Sequence, residues 1–137
     1  MGLDATLSVR TYLYNKPELT NIIKEKLNIW KFEPECIDFE ILYWRKAWQI
    51  HFFLVDHVKE VTDGSYINIP RVLIQDLYDR IVKILEDHSL ALQLLPDDCL
   101  DDWYFSQLQY TKEALEKLFK SKFWDNDFYQ FYYEASW

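Results

Sequence analysis

Tyr43-Trp44-Arg45-Lys46-Ala47-Trp48-Gln49-Ile50-His51 is the stretch on which the fold reading turns, because an alternating pattern runs out in it and a helical one starts. Before it, Ile37, Phe39, Ile41 and Tyr43 alternate with Asp38, Glu40 and Leu42, the period of two that marks a strand. After it, Trp44, Ala47, Trp48, His51, Val55 and Val58 recur on one face of a helix that runs to about Lys59. Arg45, Gln49 and Asp56 make a narrow polar stripe on that helix, and Lys46 and His57 share a third side near Phe53. With apolar residues around most of its circumference, this helix is expected to be the most enclosed in the domain.

The same two periods organise the flanks. Leu3, Ala5, Leu7, Val9, Thr11 and Leu13 alternate with polar residues up to Tyr14, a half-buried strand long enough to be central. Asn15-Lys16-Pro17 breaks it, with Pro17 suited to a first helical turn. Leu19, Ile22, Ile23, Leu27 and Trp30 then give an amphipathic helix, which Glu33-Pro34-Glu35 ends. Beyond the central helix come a loop over Val61–Ser65, at most a short strand over Tyr66–Ile69, and a helix opened by Pro70. Ser89–Leu95 allows one or two helical turns, and Pro96-Asp97-Asp98 is a breaker. Asp101 or Asp102 can cap a helix carrying Tyr104, Leu108, Thr111, Leu115 and Leu118. Phe128–Trp137 alternates again with rings on both faces, so either both are covered or one binds something. The order predicts a single α+β domain over residues 1–137: a small, mainly antiparallel sheet of three to four strands with about four helices packed on it.

Composition narrows function by exclusion. Half of the 137 residues are hydrophobic and 18% aromatic, which speaks for a substantial core and against disorder. A net charge of −8 disfavours direct nucleic-acid binding and anionic membranes. No apolar run reaches the length of a membrane span, so a soluble protein is expected. The two glycines, Gly2 and Gly64, exclude a glycine-rich phosphate loop. Cys36 and Cys99 lack ligand spacing and, without a signal peptide, read as reduced, mostly buried thiols of a cytoplasm.

No catalytic or metal signature stands in the chain, and no cofactor is expected. The candidate site is a ligand-binding one. Arg45 and Lys46, the only adjacent Arg-Lys pair, sit at the expected helix start, where cations are disfavoured by the helix dipole and exposed N–H groups can hold an anion. Salt bridges to Asp38, Glu40 or another acid are the plainer reading of the same pair. Tyr43 and Trp44 flank it. His51 lies among Trp44, Trp48 and Val55, where a ring nitrogen must find a partner; a core histidine bonded to a carbonyl or a Tyr is the plainer reading, a ligand contact or general base the sharper one. Trp103 and Tyr104, and at the end Tyr133, Ser136 and Trp137, can stack on a ligand or simply fill the core.

Several of these pieces resemble a family of small, largely uncharacterised proteins of tailed bacteriophages: Gly2-Leu3-Asp4; Tyr43-Trp44-Arg45-Lys46-Ala47 with Ile50-His51 and Phe53-Leu54-Val55; Asp102-Trp103-Tyr104-Phe105 with Leu108 and Thr111; and Tyr132-Tyr133 with Ala135-Ser136-Trp137. The family's longer loop, rich in glycine and phenylalanine, is replaced here by Leu94–Leu100, so a ligand-gating role for it is not carried over. The resemblance implies phage origin and expression in the host cytoplasm, without an activity. The leading expectation is a non-catalytic accessory protein that binds a small anionic ligand, such as a nucleotide immune signal, as an anti-defence or host-takeover factor. The alternatives are an inhibitor or scaffold that binds a host or phage protein or forms a homo-oligomer, and a nucleotide-processing enzyme using His51.

Overall fold

Alternating burial builds the sheet from its centre. In the computed structural model, which describes residues 2–14, 16–58 and 63–137, Ala5, Leu7, Val9 and Thr11 turn inward from β1 (Asp4–Tyr12), as their spacing predicts. There follow α1 (Pro17–Leu27), β2 (Cys36–Arg45), α2 (Trp48–His57), β3 (Tyr66–Ile69) and α3 (Arg71–Glu86). A 3-10 turn (His88–Leu90), α4 (Ala91–Leu94), α5 (Asp102–Phe119) and β4 (Gln130–Ser136) complete the order. The strands form one antiparallel sheet in the order β2-β1-β4-β3, so β1 is central. The fold is α+β. Apolar side chains of α2, α3 and α5 close over the inner sheet face, where Leu7, Trp44, Phe131 and Tyr133 join them in the core. No helix among the described residues is long and apolar enough to cross a membrane. The Asn15 break, Val61 and Thr62 of the expected loop and the expected helix end at Lys59 lie outside the described residues.

β2 corrects the opening reading. A bulge shifts its register against β1 between Leu7 and Ser8: Leu7 faces Leu42 while Ser8 faces Glu40. Ile41 is therefore the extra residue. Because strand side chains alternate, one inserted residue exchanges the faces beyond it. Ile37 and Phe39 keep the inner face, but after the bulge Leu42 and Trp44 point in and Tyr43 points out. Trp44 and Arg45 thus belong to the strand, and not to the first turn of a helix as expected. Lys46 makes the turn by itself. It adopts a left-handed conformation, φ 59°, while its N–H donates to Leu3 O at 2.6 Å. Such a conformation costs a non-glycine residue about 1–2 kcal/mol, and it stops the strand at once. α2 starts two residues later, at Trp48, and Gln49, expected on a polar stripe, is buried in it.

Two further expectations change. Asn28, left-handed at φ 53°, ends α1 before Trp30. Of its predicted inward face, Ile22, Leu27 and Trp30 are exposed, whereas Lys24 is buried and paired with Glu33. Cys99, expected to be buried, is exposed.

One cation holds the last loop. From the first turn of α3, the Arg71 guanidinium donates to four carbonyls: Trp124 O at 2.9 Å, Phe123 O at 3.0 Å, Asn126 O at 2.6 Å and Tyr129 O at 2.8 Å. It also lies over the Phe131 ring, 4.9 Å from the centroid. A planar fork of five donors suits such a carbonyl nest, and an ammonium does not. Arg71→Lys is expected to lower unfolding free energy by about 2–4 kcal/mol in urea titrations, because carbonyls in the loop entering β4 lose their donors. A loss below about 0.5 kcal/mol would contradict this role.

Candidate functional site

The bulge and the Lys46 turn divide the predicted site residues between two surroundings. Trp44, Tyr104 and Tyr133 are almost wholly enclosed. The Trp44 indole N–H donates to Thr111 Oγ1 at 2.8 Å, and the Thr111 hydroxyl in turn donates to Gln107 O at 2.7 Å. The Tyr104 hydroxyl donates to Leu95 O at 2.7 Å, and burial holds its pKa well above the ordinary value. These groups fix the packing of α5 and do not face an opening.

The open half lies on the other side of the β2 strand end. Tyr43, Arg45, Trp103, Ser106, Gln107 and Tyr110 line a surface groove of about 330 Å³ between the end of β2 and the N-terminal half of α5. The Asp101 carboxylate accepts from Tyr104 N–H at 3.0 Å and so fixes the start of α5, which places Trp103 beside the strand. Gln107 Nε2 donates to Arg45 O at 3.2 Å, and Tyr43 N–H donates to the Tyr110 hydroxyl at 3.4 Å. Two polar groups of an edge strand are thereby satisfied by side chains of α5. Trp103 remains 54% exposed and Tyr110 46%. Arg45 forms no ion pair among the described residues; of the acids expected to bind it, Asp38 is held by Arg10 at 2.7 Å. The Tyr43 hydroxyl donates to Asp4 at 2.8 Å, which raises its pKa. A cation beside three rings and an amide can hold an anionic group and an aromatic or planar one together.

Of the predicted residues, then, the structure gathers Tyr43, Arg45 and Trp103. Ser106, Gln107 and Tyr110 were missed, although a signal was present: 103, 106, 107 and 110 follow the spacing of one helical face. Lys46 lies apart, with its side chain against Gly2. Ser136, opposite Asp4 in the register, is exposed at the end of β4.

His51, Tyr133 and Trp137 form a separate cluster. His51 Nδ1 lies 2.7 Å from the Tyr133 hydroxyl, and Trp137 meets the imidazole edge-on at 4.9 Å between centroids. Burial lowers the His51 pKa and raises that of Tyr133, so at neutral pH both are uncharged. This is the core histidine bonded to a Tyr. Its neighbour Gln49 has a buried Nε2 without a hydrogen-bond partner.

A second polar assembly occupies the outer sheet face. Arg10 makes a two-pronged pair with Asp38, at 2.7 and 2.9 Å, and lies over the rings of Tyr66 and Tyr132, which stack at 5.0 Å. The pair holds the Asp38 carboxyl below its usual range. With both charges partnered inside the assembly, it serves to pin β2, β1, β4 and β3 together. No cluster of three or more metal-ligating side chains occurs among the described residues.

No protein-family model, curated protein or solved structure matches the chain. The groove therefore rests on its own geometry.

Two expectations follow. Thr111→Val leaves the Trp44 N–H buried without an acceptor and should cost about 1–3 kcal/mol in chemical denaturation, with unchanged secondary structure by circular dichroism. A neutral substitution would mean that Trp44 is held otherwise. For His51, the folded pKa lies below the ordinary 6.5, so its contribution is complete above that pH and is lost as pH falls through the lowered folded value. Unfolding midpoints should drop from pH 7.5 to pH 5, and His51→Gln, which keeps a polar partner for Tyr133 without a titrating group, should flatten the drop. An equal slope in both proteins would remove His51 as its source.

Proposed function

We propose that the protein is a non-catalytic binding protein that takes a small anionic ligand in the groove between β2 and α5, with a nucleotide as the ligand class. The observation that carries this reading is the Arg45 side chain, without an ion pair among the described residues, beside the exposed rings of Tyr43, Trp103 and Tyr110. Arginine supplies a planar fork for phosphate oxygens, and base–ring stacking contributes about 1–3 kcal/mol. The groove volume lies near the lower end for small-molecule sites, which suits one nucleoside and its phosphate better than a larger cofactor. The resemblance to tailed-phage proteins supports placing this activity in the host cytoplasm during infection, where capture of a nucleotide immune signal would act as an anti-defence or host-takeover device.

Two features separate this reading from a His51-dependent enzyme. The imidazole is enclosed, with Nδ1 committed to Tyr133, and the groove beside Arg45 does not include it. A protein partner is favoured by one observation, the wide exposure of Trp103 and Tyr110, since such rings are common anchors of interfaces.

Isothermal calorimetry of the whole chain against mono-, di- and cyclic nucleotides, with inorganic phosphate as the comparison, tests the proposal. At least one nucleotide should bind more tightly than phosphate. Arg45→Ala and Trp103→Ala should each weaken it about tenfold or more, a loss of ~1.4 kcal/mol or above. His51→Gln should leave affinity unchanged. No binding at millimolar nucleotide, or binding untouched by both groove substitutions, would overturn the proposal.

A further inference from the structure

Between β1 and β2 the chain leaves the sheet in an excursion that carries α1, and this excursion turns apolar side chains to solvent. Tyr14, Ile22, Leu27, Trp30 and Phe32 are all exposed, each by more than half. α1 turns Ile22 and Leu27 outward while Leu19 and Ile23 are half-buried, and it is the charged Lys24, paired with Glu33, that is buried. An amphipathic helix with its apolar residues in water is a helix lacking a partner.

Two observations say what the partner is. The first is area. The chain exposes 8735 Å² at 16.8 kDa, whereas a folded monomer of that mass exposes roughly 7,700 Å². The excess of about 1,000 Å² belongs to the whole chain, with the exposed side chains of this excursion carrying a part of it, and it is of the size, roughly 800 Å², that each partner contributes to a stable protein–protein interface. The second is charge. Residues 16–35 contain four lysines (Lys16, Lys24, Lys26, Lys31) and four glutamates (Glu18, Glu25, Glu33, Glu35), so the excursion is neutral in a chain of net −8. Two copies of so acidic a chain repel each other over most of their surface. Through this segment they meet without net repulsion, and its interspersed signs allow Lys–Glu pairing around an apolar centre.

We infer that the α1 excursion is a homodimer interface, in which Leu27, Trp30 and Phe32 of one copy pack against the same segment of a second. A two-fold arrangement makes the surface self-complementary, as the mixed charges require. The interface is independent of the β2–α5 groove, and one can exist without the other.

Sedimentation velocity and light scattering of the full chain over micromolar to hundred-micromolar concentration provide the test. A species of twice the 16.8 kDa chain mass is expected, together with concentration-dependent protection of residues 17–32 in hydrogen–deuterium exchange of the unaltered protein. Leu27→Glu with Trp30→Glu should give a monomer with an unchanged circular dichroism spectrum, while Trp103→Ala remains dimeric. A monomer throughout the range overturns the inference. So does a dimer whose exchange protection falls outside 17–32, a result that does not depend on either variant folding. Sedimentation of a monomer with zwitterionic vesicles would likewise overturn it and assign the apolar side chains to a lipid surface.

Discussion

The hydrogen bond from the Trp44 indole to Thr111, deep in the core, decides how the largest helix lies on the sheet. It is available only because Trp44 points inward, and Trp44 points inward only because Ile41 is bulged out of register with β1. Truncating a buried Trp ordinarily costs about 3–5 kcal/mol, so this one side chain contributes a large fraction of a domain's net stability of about 5–15 kcal/mol. Its polar end adds direction to that burial. An unpaired indole N–H would be costly here, so α5 must present Thr111 at this height, and Gln107 one turn earlier then reaches the backbone of Arg45.

The groove is a by-product of the same arrangement. With Trp44 committed to the interior, strand geometry sends Tyr43 and Arg45 outward on either side of it, at the edge of the sheet. With Thr111 facing in, the stripe of Trp103, Ser106, Gln107 and Tyr110 faces that edge. Core and site are therefore two faces of one contact between β2 and α5. Trp44, a ligand-contact candidate in the sequence, is the buried anchor that positions the walls of the groove.

What the sequence shows well is whatever repeats. β1 was legible because its alternate residues are buried without a break, and α5 because its apolar spacing and its Asp101 cap agree. The bulge was not legible, since Ile41-Leu42 reads equally well in either register, and it moved the helix start from Trp44 to Trp48. Nor was the left-handed turn at Lys46, a residue type that rarely adopts it. α1 misled for a different reason: periodicity reports that a helix has an apolar side, but does not say whether this chain covers it. Arg71 left no pattern at all, because its partners are backbone carbonyls some fifty residues later in the chain, which carry no side-chain signature. Of the candidate site, Tyr43, Arg45 and Trp103 were visible as residues; that His51 and Tyr133 belong to a separate buried pair depended on the tertiary path.

Trp44 lies inside while its neighbours in sequence, Tyr43 and Arg45, lie outside, and the placement of α5 and the groove depends on this. Hydroxyl-radical footprinting of the free chain, read by mass spectrometry at single residues, measures that directly. Tyr43, Trp103 and Tyr110 should be oxidised at least about ten times faster than Trp44, Tyr104 and Tyr133, since the first three are substantially exposed and the last three are enclosed. Oxidation of Trp44 at a rate comparable to Trp103 would contradict the bulged register of β2, and with it the placement of α5 and the groove.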